Sequence, residues 1–210
     1  MYLYKTVFGY SEAEYIIERS RFIAHVSPVA TPEEARAFVA SIKERYKDAT
    51  HNVPAFVCGS GKEHQWASDD GEPAGTSGMP VLKLITYADM TNLVIVVTRY
   101  FGGIKLGTGG LARAYTHAAS LAIEKAGICA VEEGVRMVCS VDYTYLGKIQ
   151  NLAAGGSFSI EDTEYTDVVT LTLTCPSEYS VQMEEQLSDV TGGKAFILSS
   201  EPIMVRRIIK

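Results

Sequence analysis

The feature that most limits what this chain can fold into is the run from Leu93 to Gly127, LVIVVTRYFGGIKLGTGGLARAYTHAASLAIEKAG. It opens on an unbroken apolar, β-branched segment, the pattern of a central strand. It closes on GGLARAYTHAASLAIEKAG, where Leu111, Tyr115, Ala118 and Ala122 recur at helical spacing and Gly127 supplies a C-cap, which predicts a helix of about five turns. Between strand and helix, residues 98–115 gather five of the chain's 18 glycines and three basic side chains.

That loop comes near two phosphate-binding motifs and meets neither. Gly102 and Gly107 have the separation found in G-x-x-x-x-G-K-[ST], but Thr108 stands where the lysine belongs. A G-x-G-x-x-G turn directly after the strand, with an acid about 20 residues on, is not cleanly present. What remains is physical. Thr108 is placed to cap a helix that begins with Gly109 and Gly110, whose bare N–H groups at the positive end of a helix dipole suit an anion. Arg99, Lys105 and Arg113 bring charge to the same place, Tyr100, Gly102 and Gly103 shape the path, and His117 follows Arg113 by one helical turn. The expectation is an anion- or polyanion-binding loop. The plainer alternative is that the glycines only permit a sharp turn and close packing.

A length of 210 residues suits two domains. In the first, RFIAHVSPV reads as a strand and TPEEARAFVASIKERY as a helix with Thr31 as N-cap, Pro32 in the first turn and Glu34 completing a capping box. Ala35, Phe38, Val39, Ile42 and Tyr46 form its apolar face, which calls for a sheet. VPAFVCG and EHQWASD predict short strands and MPVLKLITYA a short helix. The second half reads strand, helix, strand, strand, helix, strand, the βαββαβ order of a ferredoxin-like domain. The boundary is expected near residues 128–134, dividing 1–130 from 131–210.

Charge is uneven across that boundary. Residues 1–130 carry 13 Lys+Arg and 13 Asp+Glu, whereas residues 131–210 carry 6 against 12, the whole of the net −6. This excludes a generically basic nucleic-acid binder, so any polyanion contact is a local patch on the first domain. No apolar run approaches the roughly 18 residues of a membrane span, and the N-terminal stretch lacks a signal-peptide core, so a cytoplasmic address without membrane contact is expected.

In SDDGEPAGTSG, Asp69, Asp70 and Glu72 lie close together while Gly71, Pro73, Gly75, Thr76 and Gly78 set an unusual backbone path. Asp70 and Glu72 are the alternative catalytic candidates, as proton acceptors or cation ligands. Loop ordering and partner binding through turns is the primary reading. No metal site is assigned and no cofactor is implied. His25, His51, His64 and His117 lack H-E-x-x-H spacing, and His51 in DATHNVPAF is the one placed to reach the glycine cleft. Cys58, Cys129, Cys139 and Cys175 form no C-x-x-C pair and read as buried, reduced thiols.

In chain order, SRFIA, DATHN, SDDGEPAGTSGMPVL and VVTRYFGGIKLGTGGLARAY resemble the signature blocks of the IMPACT/YigZ family. The resemblance implies an α+β protein. Its N-terminal part would be a two-layer α/β domain of the ribosomal-protein-S5-domain-2-like type, with the left-handed βαβ unit also found in domain IV of elongation factor G and in small-molecule kinases. The general handedness rule alone would predict a right-handed crossover. The C-terminal part would be the ferredoxin-like domain of bacterial two-domain members, related to the C-terminal domains of elongation factor G. Eukaryotic relatives regulate translation under starvation by competing for a ribosome-associated activator of an initiation-factor kinase. The resemblance therefore implies a non-enzymatic protein whose glycine-rich cleft contacts the ribosome, RNA phosphates or a translation-factor partner. The kinase analogy implies the alternative, an enzyme for a phosphorylated small molecule or nucleotide, with phosphate at Gly109 and Asp70 or Glu72 at Mg²⁺ or acting as base. Binding is the primary expectation, since fold does not fix function.

Overall fold

In the computed structural model, which describes residues 2–209, the chain folds as two units, Leu3–Ala130 with Ile208 and Ile209, and Val131–Arg207 with Tyr2. The first contains β1 (Tyr4–Val7), β2 (Ser11–Ile17), β3 (Ser20–Pro28), α1 (Pro32–Arg45), β4 (His51–Cys58), β5 (His64–Ala67), α2 (Gly78–Tyr87), β6 (Leu93–Tyr100) and α3 (Gly107–Ala126). Five strands form an antiparallel sheet in the order β2-β3-β6-β4-β5.

The apolar run of β6 explains the layering. Leu93, Ile95 and Val97 pack with α2 and α3, while Val94 and Val96 point the other way and pack with Ala35, Val39 and Ile42 of α1. A central strand that is apolar at every position needs cover on both faces. Helices therefore lie on both sides of the sheet, α1 on one and α2 and α3 on the other, in an α/β domain as expected. At the head of α1, Thr31 accepts from the Glu34 N–H at 3.2 Å, and the Glu34 carboxylate returns to the N–H of Ala30, one residue before the cap.

Two strands have no counterpart in the sequence reading, β1 and β2. In β2, Ala13, Tyr15 and Ile17 pack on the core while Glu12 and Glu14 face away, a period of two. The turn into β3 hid it. Glu18 and Arg19 both adopt positive φ, 46° and 60°, positions usually occupied by Asn and Gly in a two-residue hairpin.

On the α1 side of β3, His25 is fully buried with no partner for Nε2 among the described residues, and its Nδ1 lies 3.3 Å from the Tyr10 hydroxyl. Burial drives its pKa down to about 4, a shift that nearby Glu12 opposes and Arg45 assists. The folded value lies below the unfolded one near 6.5, so the neutral ring supports the fold above about pH 6.5, and that support is lost as pH falls towards 4. Urea midpoints measured between pH 7 and 4 are expected to fall by the equivalent of on the order of 3 kcal/mol, and His25→Phe should flatten this part of the profile. An unchanged slope in the variant would assign the loss to other groups.

The second unit is built from β7 (Ile128–Val141), α4 (Tyr143–Ala154), β8 (Ser159–Tyr165), β9 (Val169–Pro176), α5 (Ser180–Thr191) and β10 (Phe196–Ile208), of which only Ile128–Ala130 and Ile208 fall in the first unit. Its strands lie in the order β10-β7-β9-β8, the ferredoxin-like arrangement. Strict alternation on β9 buries Val169, Leu171, Leu173 and Cys175 against Met137, Cys139, Ile149 and Met183. All four cysteines are buried thiols, and burial raises Cys58 and Cys139 to about 11, which makes them poor nucleophiles. Among the described residues no helix is long and apolar enough to cross a membrane.

Candidate functional site

The site is built where β6 ends. Side chains alternate along a strand, so Arg99 follows Leu93, Ile95 and Val97 onto the α3 side, and there it is buried, with 6% of its side chain exposed. Its Nη1 donates to Glu72 Oε1 at 2.6 Å, and the guanidinium lies 5.3 Å from the ring centres of both Phe22 and Phe101. Glu72 Oε1 also accepts from the Tyr115 hydroxyl at 2.7 Å, and His51 Nε2 stands 3.8 Å away. Burial first, and then the adjoining Glu72 carboxylate, pushes the Tyr115 phenol far above its usual pKa, so it remains a donor. Arg99 is thus a buried structural cation and is removed from the set of anion contacts expected of it. An ion already paired in a dry pocket cannot turn to a phosphate without leaving Glu72 unpaired.

The acidic loop is held equally firmly. Asp69 accepts from the N–H groups of Gly75, Ser77 and Gly78 at 2.7, 3.1 and 2.9 Å and from Ser77 Oγ at 2.7 Å, which caps the start of α2 from outside the helix. Burial alone would raise its pKa, but these hydrogen bonds outweigh it and hold the carboxyl below the usual range. Asp70, at φ 48°, accepts from Lys43 Nζ at 2.5 Å and from the Asn52 N–H at 2.7 Å, and its carbonyl oxygen accepts from His51 Nδ1 at 2.8 Å. Gly71 and Gly75 take positive φ, and Thr76 Oγ1 donates to the Pro73 carbonyl. The three carboxylates therefore serve three different sets of donors. Asp70 and Glu72 are committed to Lys43 and Arg99, which leaves the alternative catalytic role without a free carboxylate, and no group of three metal-ligating side chains occurs among the described residues.

The glycine loop packs on this base. The Gly102 N–H donates to Ser20 Oγ at 3.1 Å, the Phe101 N–H to Thr50 Oγ1 at 3.0 Å, and the Tyr100 hydroxyl to Asp48 at 3.0 Å. Gly103 and Gly107 adopt φ of 86° and 71°. Helix α3 starts at Gly107, with Leu106 at the cap position and no side chain capping it. Thr108 is therefore inside the first turn and is not the N-cap, because Gly107 makes the left-handed entry that starts the helix one residue before Thr108. The Arg113 guanidinium lies against Gly109, over that uncapped turn.

Charge pairing distinguishes this surface from most of the rest of the unit. Lys5, Arg21, Arg36, Lys43, Arg45, Lys47, Lys62 and Arg99 each meet a carboxylate, and Lys125 donates to the Glu12 carbonyl. Among the described residues Lys105 and Arg113 meet none, and neither do Lys83, exposed on α2, and Arg19, which sequence reasoning missed. The Arg19 backbone abuts Gly102, so three adjoining segments each present an unpaired cation at the glycine loop.

The Impact N-terminal domain family matches residues 18–123, and a domain of unknown function, DUF1949, matches residues 139–194. IMPACT family member YvyE of Bacillus subtilis is 39% identical over 201 residues, covering 96% of this chain and 93% of its own. The chain belongs to the IMPACT family. Protein IMPACT of Mus musculus is 36% identical over 112 residues, 51% of this chain and 35% of that protein. A crystal structure described as that of a hypothetical protein shares 29% identity, with a TM-score of 0.59 over 93% of this chain and 96% of that one. The IMPACT match begins at the Glu18–Arg19 turn and ends in α3, so it contains the buried Glu72–Arg99–Tyr115 cluster and Arg19, Lys105 and Arg113.

Proposed function

We propose that this IMPACT-family protein is a non-enzymatic, translation-associated binding protein that holds RNA phosphates at the glycine loop. The observation that carries the reading is the gathering of Arg19, Lys105 and Arg113, unpaired, around an uncapped helix start in a unit whose other cations are largely neutralised. Uncapped N–H groups at the positive end of a 20-residue helix add to the same field. The buried Glu72–Arg99 pair and the Asp69 and Asp70 contacts act as the frame that keeps the loop open. Family membership supports the translational setting that the motif resemblance implies.

The test is a salt series. Each phosphate contact on a single strand contributes about −0.7 to the slope of log K against log salt, so Lys105→Ala with Arg113→Ala should flatten that slope by about 1.4. Adding Arg19→Ala should flatten it further. Undetectable RNA binding at 50 mM salt, or a slope indifferent to these changes, rejects the reading.

A further inference from the structure

Beyond the glycine loop, the same helix borders a groove of about 650 Å³. Tyr15 and Ile17 of β2, Leu84 of α2 and Leu106, Arg113 and His117 on or beside α3 line it. The Tyr15 and His117 rings meet edge to face with centres 4.5 Å apart, forming one aromatic wall. Among the described residues no carboxylate lines the groove, although the chain as a whole carries a net charge of −6. Leu106, Gly110 and Arg113 belong to both the loop and the groove, so the two are continuous.

We propose that the groove receives the base of a nucleoside monophosphate unit whose phosphate lies at Gly109 and Arg113. This rests on the phosphate-binding reading of the loop and gives it a ligand class, nucleotides whose bases are unstacked. The groove volume is that of sites for small ligands, about 300–1,000 Å³. Its lining suits a planar, partly apolar body joined to an anion: aliphatic side chains and two rings for the first, Arg113 for the second. Aromatic side chains accept any base by its face, so the site binds without reading sequence. A base held in a duplex stays in its stack and cannot enter, whereas single strands offer their bases freely.

The same chemistry is found in a free nucleotide and in a single strand, and the experiment separates them. Binding is measured at 50 mM salt for AMP, inorganic phosphate, a labelled eight-nucleotide single-stranded RNA and the matching duplex. Ser120 lines the groove one helical turn beyond Thr116, away from the glycine loop, so Ser120→Trp fills the groove and leaves the loop intact. Leu84→Glu, on α2, is the second variant should the first fail to fold. Ser120→Trp is expected to weaken AMP and single-strand binding by about tenfold or more and to change duplex binding less than twofold. Lys105→Ala should weaken single strand and duplex together. Groove-dependent AMP binding without tighter strand binding would name the free nucleotide as the ligand and uphold the proposal. Single-strand affinity that falls with Lys105→Ala but ignores both groove variants would overturn the groove and leave the loop reading standing. No binding of any probe would reject both.

Discussion

Replacing Glu72 by alanine is expected to destabilise the N-terminal unit by about 3–5 kcal/mol, because it strands the Arg99 guanidinium as an unpaired charge in a buried pocket. Glu72 Oε1 receives both Arg99 Nη1 and the Tyr115 hydroxyl, so one truncation unpairs two donors. Arg99 has little else to turn to. Its Nε has no partner among the described residues, and its Nη2 reaches Ser20 Oγ only at 3.4 Å. A double variant separates charge from packing. With Glu72→Gln and Arg99→Met together, no charge remains buried and the amide oxygen still accepts from Tyr115, so most of the lost stability should return. Urea denaturation of the three proteins decides it. Equal losses in single and double variants would mean that the loop depends on shape at Glu72 and not on charge.

That cluster also marks where sequence reading reached its limit. Arg99 looked like a cation for a ligand because it adjoins the glycines, yet its register already held the contrary signal. It shares parity with Leu93, Ile95 and Val97, the face that α3 covers, so an inward-pointing arginine was legible and a buried acid was required by physics. Which acid was not legible, since Glu72 lies 27 residues away on a loop whose path depends on Asp69 and Asp70 contacts. The long elements were plain because their periods are unambiguous: the apolar β6, the alternating β9, the helical spacing of α3. Strand β2 was hidden by its turn, where charged Glu18 and Arg19 take backbone conformations that usually announce themselves as Asn-Gly. With that hairpin went Arg19, the third unpaired cation at the glycine loop.

Gly102 ties these observations together and sets the second large effect. A Cβ there would overlap the Arg19 carbonyl group and the Ser20 nitrogen, all backbone atoms that no rotamer change can move aside. Gly102→Ala must therefore shift the Glu18–Arg19 turn, and the cost is expected at the upper end of overpacking, about 3 kcal/mol. Gly103 offers the contrast. At φ 86° with open space where a Cβ would stand, Gly103→Ala meets only left-handed strain, about 1–2 kcal/mol. The two substitutions should differ in function as well as stability. Displacing the turn carries away Arg19 and loosens Ser20 Oγ, the acceptor that fixes the loop through the Gly102 N–H. Gly102→Ala should consequently flatten the RNA salt slope by about 0.7, the share of one phosphate contact, while Gly103→Ala leaves it unchanged. Equal slopes in both variants would place Arg19 outside the contact surface and confine the phosphates to Lys105, Arg113 and the helix start.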